Sequence, residues 1–224
     1  FPSHPHRGFE TVSYMLNGRM RHKDNKGHEG LLESGSVQWM TAGRGIVHSE
    51  MPEQTEGLMR GFQLWVNLPA KDKMTAPRYQ DIAPDKIPMT NLAPGVSAKI
   101  LAGSVNGVTG PVDTGATEPF YFDIHMSANS KADIALPDGH SAFVYVYDGT
   151  AVVGEGDETK NIPAQTIAVL STGTNLHLAA AQAARLILVA GKPLHEPVAK
   201  YGPFVMNTQD QLRQAFEDYH AGRF

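Results

Sequence analysis

The residues of this chain best suited to chemistry are His4 and His6, in His4-Pro5-His6, and His48 and Glu50, in His48-Ser49-Glu50. The second group follows the glycine-rich run Ala42-Gly43-Arg44-Gly45. On a β-strand successive side chains alternate between faces, so both members of each pair point the same way. Two facing strands could then aim three imidazoles and one carboxylate at a single point, the donor set of a metal site. The chain contains no cysteine. Thiolate ligands, disulfides and a cysteine nucleophile are thereby excluded, and any metal must be held by nitrogen and oxygen. Such donors suit first-row divalent ions: iron(II), nickel, copper, manganese and zinc. Four protein ligands leave two octahedral positions for water, substrate or dioxygen, as a catalytic site needs and a closed structural site does not.

Other conspicuous residues have plainer readings. Gly43-Arg44-Gly45 lacks the following lysine and the strand-to-helix context of a phosphate loop, and reads as a tight turn. His22 and His28 flank the charged segment 23–26 and are expected in an exposed loop. His125, His140, His177 and His195 form no pair at strand spacing. Trp39, Met40, Phe62 and Trp65 read as core, except where one shares a face with the metal ligands and lines a cavity.

The elements that must position these residues are strands. Period-2 apolar patterning predicts strands at 11–16, 35–40, 61–68, 120–126, 142–147, 166–170 and 185–189. Asn17-Gly18, Pro137-Asp138-Gly139 and Asp148-Gly149 mark turns, the last predicting a hairpin between 143–147 and 150–153. Residues 69–97 carry five prolines and little apolar alternation and are read as a crossover between two β units. One helix is expected at the end: Thr208 and Gln211 match a capping box, Leu212, Ala215, Phe216 and Tyr219 form an apolar stripe, and Gly222 is placed to terminate it. The fold class is all-β, of barrel or sandwich type, with this helix covering a barrel. A chain of 224 residues with a net charge of −4 and no basic stripe offers no electrostatic reason to bind nucleic acid or an anionic membrane. Its longest apolar runs, such as 186–190, are too short to span a bilayer.

The stretches FPSHPHRGFETVSYMLNG, GHEGLLESGSVQWMTAGRGIVHSEMP, GFQLWVNLP and AGKPLHEPVAKYGPFVMNT together resemble the pirin family of the cupin superfamily. The resemblance covers nearly the whole length and implies a bicupin: an N-terminal barrel with the metal, 1–88, and a C-terminal barrel without metal ligands, 89–224, ending in the helix. It also implies that an N-terminal portion, and a few residues at the other end, are missing from this chain. Carried over residue by residue, the family's ligands fall on His4, His6, His48 and Glu50, with Fe(II) as the favoured ion. The general cupin pattern offers Glu10 instead as the carboxylate, unless a bulge at Gly8 turns it away. Thr41, where cupins commonly have proline, matches the pirin variant.

The activity implied is quercetin 2,3-dioxygenase: a flavonol and dioxygen converted to a depside and carbon monoxide, with Glu50 as both ligand and general base, or Glu10 as base if Glu50 is locked on the metal. The alternative is a non-catalytic, iron-dependent, redox-responsive protein that binds a partner in transcription regulation. A cytoplasmic location is expected, or a nuclear one in a eukaryote.

Overall fold

A computed structural model describes residues 1–224. The chain divides into two compact units, Phe1–Lys86 with Leu194–Phe224 (unit 1) and Ile87–Pro193 (unit 2). No helix is long and apolar enough to cross a membrane.

Unit 1 begins with strands β1 (His4–His6), β2 (Phe9–Asn17), β3 (Met20–Asp24), β4 (Glu29–Leu32), β5 (Val37–Thr41), β6 (Ile46–Pro52), β7 (Arg60–Asn67) and β8 (Arg78–Ile82). They form two four-stranded sheets, ordered β1-β6-β3-β4 and β7-β2-β5-β8. Unit 2 contains β9 (Met89–Ala93), β10 (Val96–Ala102), β11 (Ser104–Val105), β12 (Val108–Thr109), β13 (Phe120–Met126), β14 (Ser130–Ala135), β15 (Ser141–Asp148), β16 (Thr150–Val153), β17 (Lys160–Pro163), β18 (Thr166–Val169), β19 (Asn175–Ala180) and β20 (Ala184–Gly191). Its main sheets are β18-β15-β20-β13-β10-β9 and β14-β19-β16-β17. Its core is aliphatic and aromatic, built on residues such as Ile100, Phe122, Ile124, Val144, Leu186 and Leu188. The chain then returns to unit 1 with the ribbon β21 (Ala199–Tyr201) and β22 (Phe204–Met206) and the helix α1 (Gln209–His220).

Each predicted strand exists, but pairing departs from the sequence reading at one hairpin. The strands flanking Asp148-Gly149 do not pair with each other: β15 pairs with β18 and β20, and β16 with β17 and β19. Alternation marks two strands and a turn without saying which ladder each joins, and here the turn is a corner between sheets. The proline-rich stretch also contains β8 and β9, both edge strands. Half-exposed on both faces, they lack the apolar alternation that reveals a strand.

The opening segment of unit 1 ends at Lys86, near the boundary expected at 88, and residues 194–224 belong to unit 1, where the sequence reading assigned them to the second barrel. The reason is a set of long-range polar anchors that no periodicity reports. Arg7 donates through Nε to the Arg44 carbonyl at 2.5 Å and through Nη1 to Asp218 on α1 at 2.7 Å, and its guanidinium lies 4.3 Å from the centre of the Phe224 ring. The Phe224 ring in turn fills the space where a Cβ on Gly45 would stand, 2.7 Å away. The helix matches its sequence signature: Thr208 and Gln211 close the capping box, Leu212 and Ala215 are buried, Phe216 and Tyr219 pack against the same cluster, and Gly222 adopts φ 69°.

Lys73 is a second anchor. Fully buried, its ammonium donates to the carbonyls of Gly8 at 2.7 Å and Val205 at 2.9 Å and to Asn67 Oδ1 at 2.6 Å, tying the β1–β2 corner to β7 and β22. Lys73→Met keeps the bulk and strands these three acceptors, so a loss of about 3 kcal/mol is expected. Urea unfolding measures it, and a loss below about 1 kcal/mol would show that the three bonds contribute little net stability.

Candidate metal centre

Backbone register brings the two histidine pairs together. Antiparallel pairing of β1 with β6 sets His4 opposite His48, and pairing of β6 with β3 sets Glu50 opposite His22. Directly opposed residues share a face of the sheet. His4, His6, His48 and Glu50 therefore project from one face, as alternation predicts. The imidazole centroids stand 4.7 Å (His4–His6), 4.5 Å (His4–His48) and 5.0 Å (His6–His48) apart, and one donor atom from each ring lies within 4.8 Å of the others.

The corner after β1 depends on Gly8. Its φ is 87°, and a Cβ there would stand 2.1 Å from the Val205 carbonyl oxygen. Only glycine satisfies both conditions. The chain turns here from the sheet of β1 into the sheet of β2, while the anchors on neighbouring Arg7 hold the end of β1 in place.

His6 and His48 are buried, and no ring nitrogen of either has a hydrogen-bond partner. Burial and the neighbouring imidazoles lower His6 to about 4 and His48 to about 3, so both are neutral at pH 7. His4 Nδ1 lies 2.8 Å from the Pro2 carbonyl oxygen. With the proton on Nδ1 donated there, Nε2 keeps its lone pair. Two neutral buried imidazoles without hydrogen-bond partners, converging with the His4 ring, are what a bound cation would satisfy, so these residues fit a metal.

Glu50 is also buried, with Oε2 4.0 Å from His48 Nε2. Its other oxygen, Oε1, accepts from Ser13 Oγ at 3.3 Å, and Gln63 Nε2 lies 3.0 Å from both carboxylate oxygens. Ser13 and Gln63 are opposed on β2 and β7. The sequence analysis did not single them out, although a polar residue inside each apolar strand was the available signal.

The phase of β2 separates the two candidate carboxylates. Ser13 faces Glu50 and Phe9 packs edge-on against His6 at 5.2 Å, so Phe9, Thr11 and Ser13 are on the site side. Glu10, one residue out of phase, takes the other face, where its carboxylate accepts from Thr41 Oγ1 at 2.6 Å. It does not join the histidine group. Of the four large residues considered for a wall, Trp65 and Met40 are opposed to Thr11 and share the site face, whereas Trp39 and Phe62 are opposed to Val12 and Tyr14. Trp65 stacks on Phe9 at 4.3 Å and meets His6 at 5.6 Å.

His22 corrects the expectation of an exposed loop, whereas His28 does stand, partly exposed, in the turn before β4. His22 lies on β3 and is completely buried, because its side chain shares the inward phase of Met20 and Asp24. His28 is close to it, with ring centroids 5.2 Å apart. In unit 2, His125 lies beside Asp123, His177 beside Asp133 and Glu155, and His140 beside the Glu118 carbonyl, each without a second imidazole.

Comparison with known proteins identifies the family. The pirin family profile matches residues 1–66, and that of the pirin C-terminal cupin domain matches residues 121–224. The chain belongs to the pirin family. A Pseudomonas aeruginosa pirin relative provisionally named quercetin 2,3-dioxygenase is 51% identical over 99% of this chain and 79% of its own length. The crystal structure of quercetin 2,3-dioxygenase from Acinetobacter baumannii superposes with a TM-score of 0.94 at 37% identity, over 99% of this chain and 78% of that one. The bacterial pirin YhhW from Escherichia coli, solved in complex with nickel(II), shares the bicupin fold at 17% identity, with a TM-score of 0.68 over 86% of this chain and 76% of that one.

The lowered histidine values carry a stability consequence. Between about pH 6.5 and 4 the unfolded chain binds protons at His6 and His48 that the folded chain refuses, so metal-free protein should lose stability as pH falls through that window. Urea midpoints of metal-free protein from pH 7 to 5 check this. A His6→Gln, His48→Gln double variant should fall less over the same range, and an equal fall in both proteins would refute the assignment.

Proposed function

We propose that this chain is a metal-dependent dioxygenase that cleaves flavonols in the manner of quercetin 2,3-dioxygenases, with one Fe(II) held by His4, His6, His48 and Glu50. The observation that carries this reading is the group of three imidazoles, two of them buried and lacking any hydrogen-bond partner, with the Glu50 carboxylate 4.0 Å from His48. The names of the Pseudomonas and Acinetobacter relatives support the substrate class. Bound there, the ion would supply Lewis acidity toward the 3-hydroxyl of the flavonol and redox capacity toward dioxygen.

The residues divide the remaining work. Glu50 presents Oε2 to the histidines and keeps Oε1 on the side of Ser13. Oε1, turned away from His48 and accepting from Ser13 and Gln63, is the oxygen that would take the proton of the 3-hydroxyl. Gln63, bonded to both oxygens, fixes the carboxylate plane while that proton arrives. Trp65, partly exposed and backed by the buried Phe9, offers an aromatic contact beside His6 for a polyphenol ring. In the net reaction both atoms of dioxygen enter the depside, and the carbon that carried the 3-hydroxyl leaves as carbon monoxide.

Protein stripped of metal, reloaded with Fe(II) without oxygen and then given quercetin and dioxygen should consume oxygen and release carbon monoxide. His48→Ala should lose both stoichiometric iron at this centre and turnover. Glu50→Gln should weaken iron binding and lower kcat by about 100-fold or more. Iron-loaded protein without turnover would refute flavonol cleavage, and full activity in Glu50→Gln would remove the carboxylate from the mechanism.

A further inference from the structure

A second group of metal-type donors occupies unit 1 outside the three-histidine centre. His22 comes from β3, His28 from the turn before β4, and Asp81 from β8 in the other sheet. One donor atom from each lies within 4.8 Å of the others. Asp81 Oδ2 is 3.2 Å from His28 Nε2 and 3.8 Å from His22 Nε2. Donors bound about 2.0–2.2 Å from one ion in a tetrahedral shell stand roughly 3.3–3.6 Å apart. The two distances to Asp81 bracket that range.

Two features show that the arrangement is built and not incidental. His22 is completely buried, and neither of its ring nitrogens has a hydrogen-bond partner. An unsatisfied buried polar group costs about 1–3 kcal/mol, so an imidazole is not left in that state for packing alone. Gly30, opposed to His22 on β4, has no positive φ that would demand glycine. A Cβ there would instead stand 2.3 Å from His22 Nε2 and 3.3 Å from Asp81 Oδ2, filling the space on which the two donors converge.

The remaining atoms are also arranged for a cation. Gln38 Nε2 donates to Asp81 Oδ1 at 2.8 Å, leaving Oδ2 turned to the histidines. Burial alone would raise the Asp81 carboxyl, but His22, Gln38 and His28 hold it down at about 2, so it is ionised at neutral pH. His28 is stacked on Tyr79 at 4.2 Å with an interplanar angle of 24°, which fixes its ring. The side chains of His28 and Asp81 are each 40% exposed, so an ion reaches the group from solvent and a water can complete its shell.

We propose that His22, His28 and Asp81 form a second metal site in unit 1, a two-histidine, one-aspartate set that takes a divalent first-row transition ion such as zinc(II). Its donors are distinct from His4, His6, His48 and Glu50, so each site can be removed without touching the ligands of the other.

The test is a metal count on the full chain. Protein stripped by chelator is titrated with zinc(II) by calorimetry, and the bound metal is quantified after desalting. Wild type should bind two equivalents, and His28→Ala and Asp81→Asn one each. His28 is partly exposed, so its removal should leave the fold intact, which circular dichroism and the melting temperature verify. His48→Ala should also bind one equivalent, and the His28→Ala, His48→Ala double variant none. A single equivalent in wild type that His48→Ala abolishes and His28→Ala keeps, or two retained in both His28→Ala and Asp81→Asn, would overturn the second site. Loss of one equivalent in His28→Ala with none lost in His48→Ala would support the second site and refute the three-histidine centre, so the two readings fail separately.

Discussion

The antiparallel register of β1, β6 and β3 is the constraint on which the rest of unit 1 depends. It sets His4 opposite His48 and His22 opposite Glu50, and so gathers every donor of that sheet on a single face. A slip of one residue would send each of these side chains to the other face. Such a slip is opposed where β1 ends. Gly8 fits its corner only because it lacks a Cβ, and Arg7 is held by the Arg44 carbonyl, Asp218 and Phe224. The closing helix thus contributes to the centre from a distance, by fixing the residue next to His6.

The two units use the same architecture for different ends. Unit 2 fills the space between its sheets with aliphatic and aromatic side chains. Unit 1 turns polar residues inward: Ser13 and Gln63 hold Glu50, Gln38 holds Asp81, and His6, His22 and His48 are buried without partners. Burying unpaired imidazoles costs stability. The anchors Lys73 and Arg7 and the apolar cluster of Phe204, Met206, Leu212 and Phe224 provide rigidity elsewhere in the unit, so the donors keep their geometry before any ion arrives.

Carboxylate choice follows from the same alternation. Glu10 and Glu50 are both buried glutamates on strands of the same unit, yet only Glu50 approaches the histidines, because β2 turns Ser13 and Phe9 toward them and Glu10 away. Oε1 and Oε2 of Glu50 are inequivalent for the same reason, one turned to Ser13 and one to His48.

The sequence by itself determined what is local. Strand alternation put His4 with His6 and His48 with Glu50, the capping box located α1, the missing cysteines restricted the donors to nitrogen and oxygen, and the conspicuous blocks identified the family. Tertiary structure decided what depends on pairing between distant segments. It sent β15 and β16 to different sheets, returned residues 194–224 to the first unit, and buried His22 in a charged stretch that reads as a loop. It also brought Asp81, from a proline-rich region without apolar periodicity, to His22 and His28. The physical reason is the same throughout: a period of two residues reports the faces of one strand, whereas a site is made where faces of different strands meet, and that depends on ladder partners and buried polar anchors far apart in the chain.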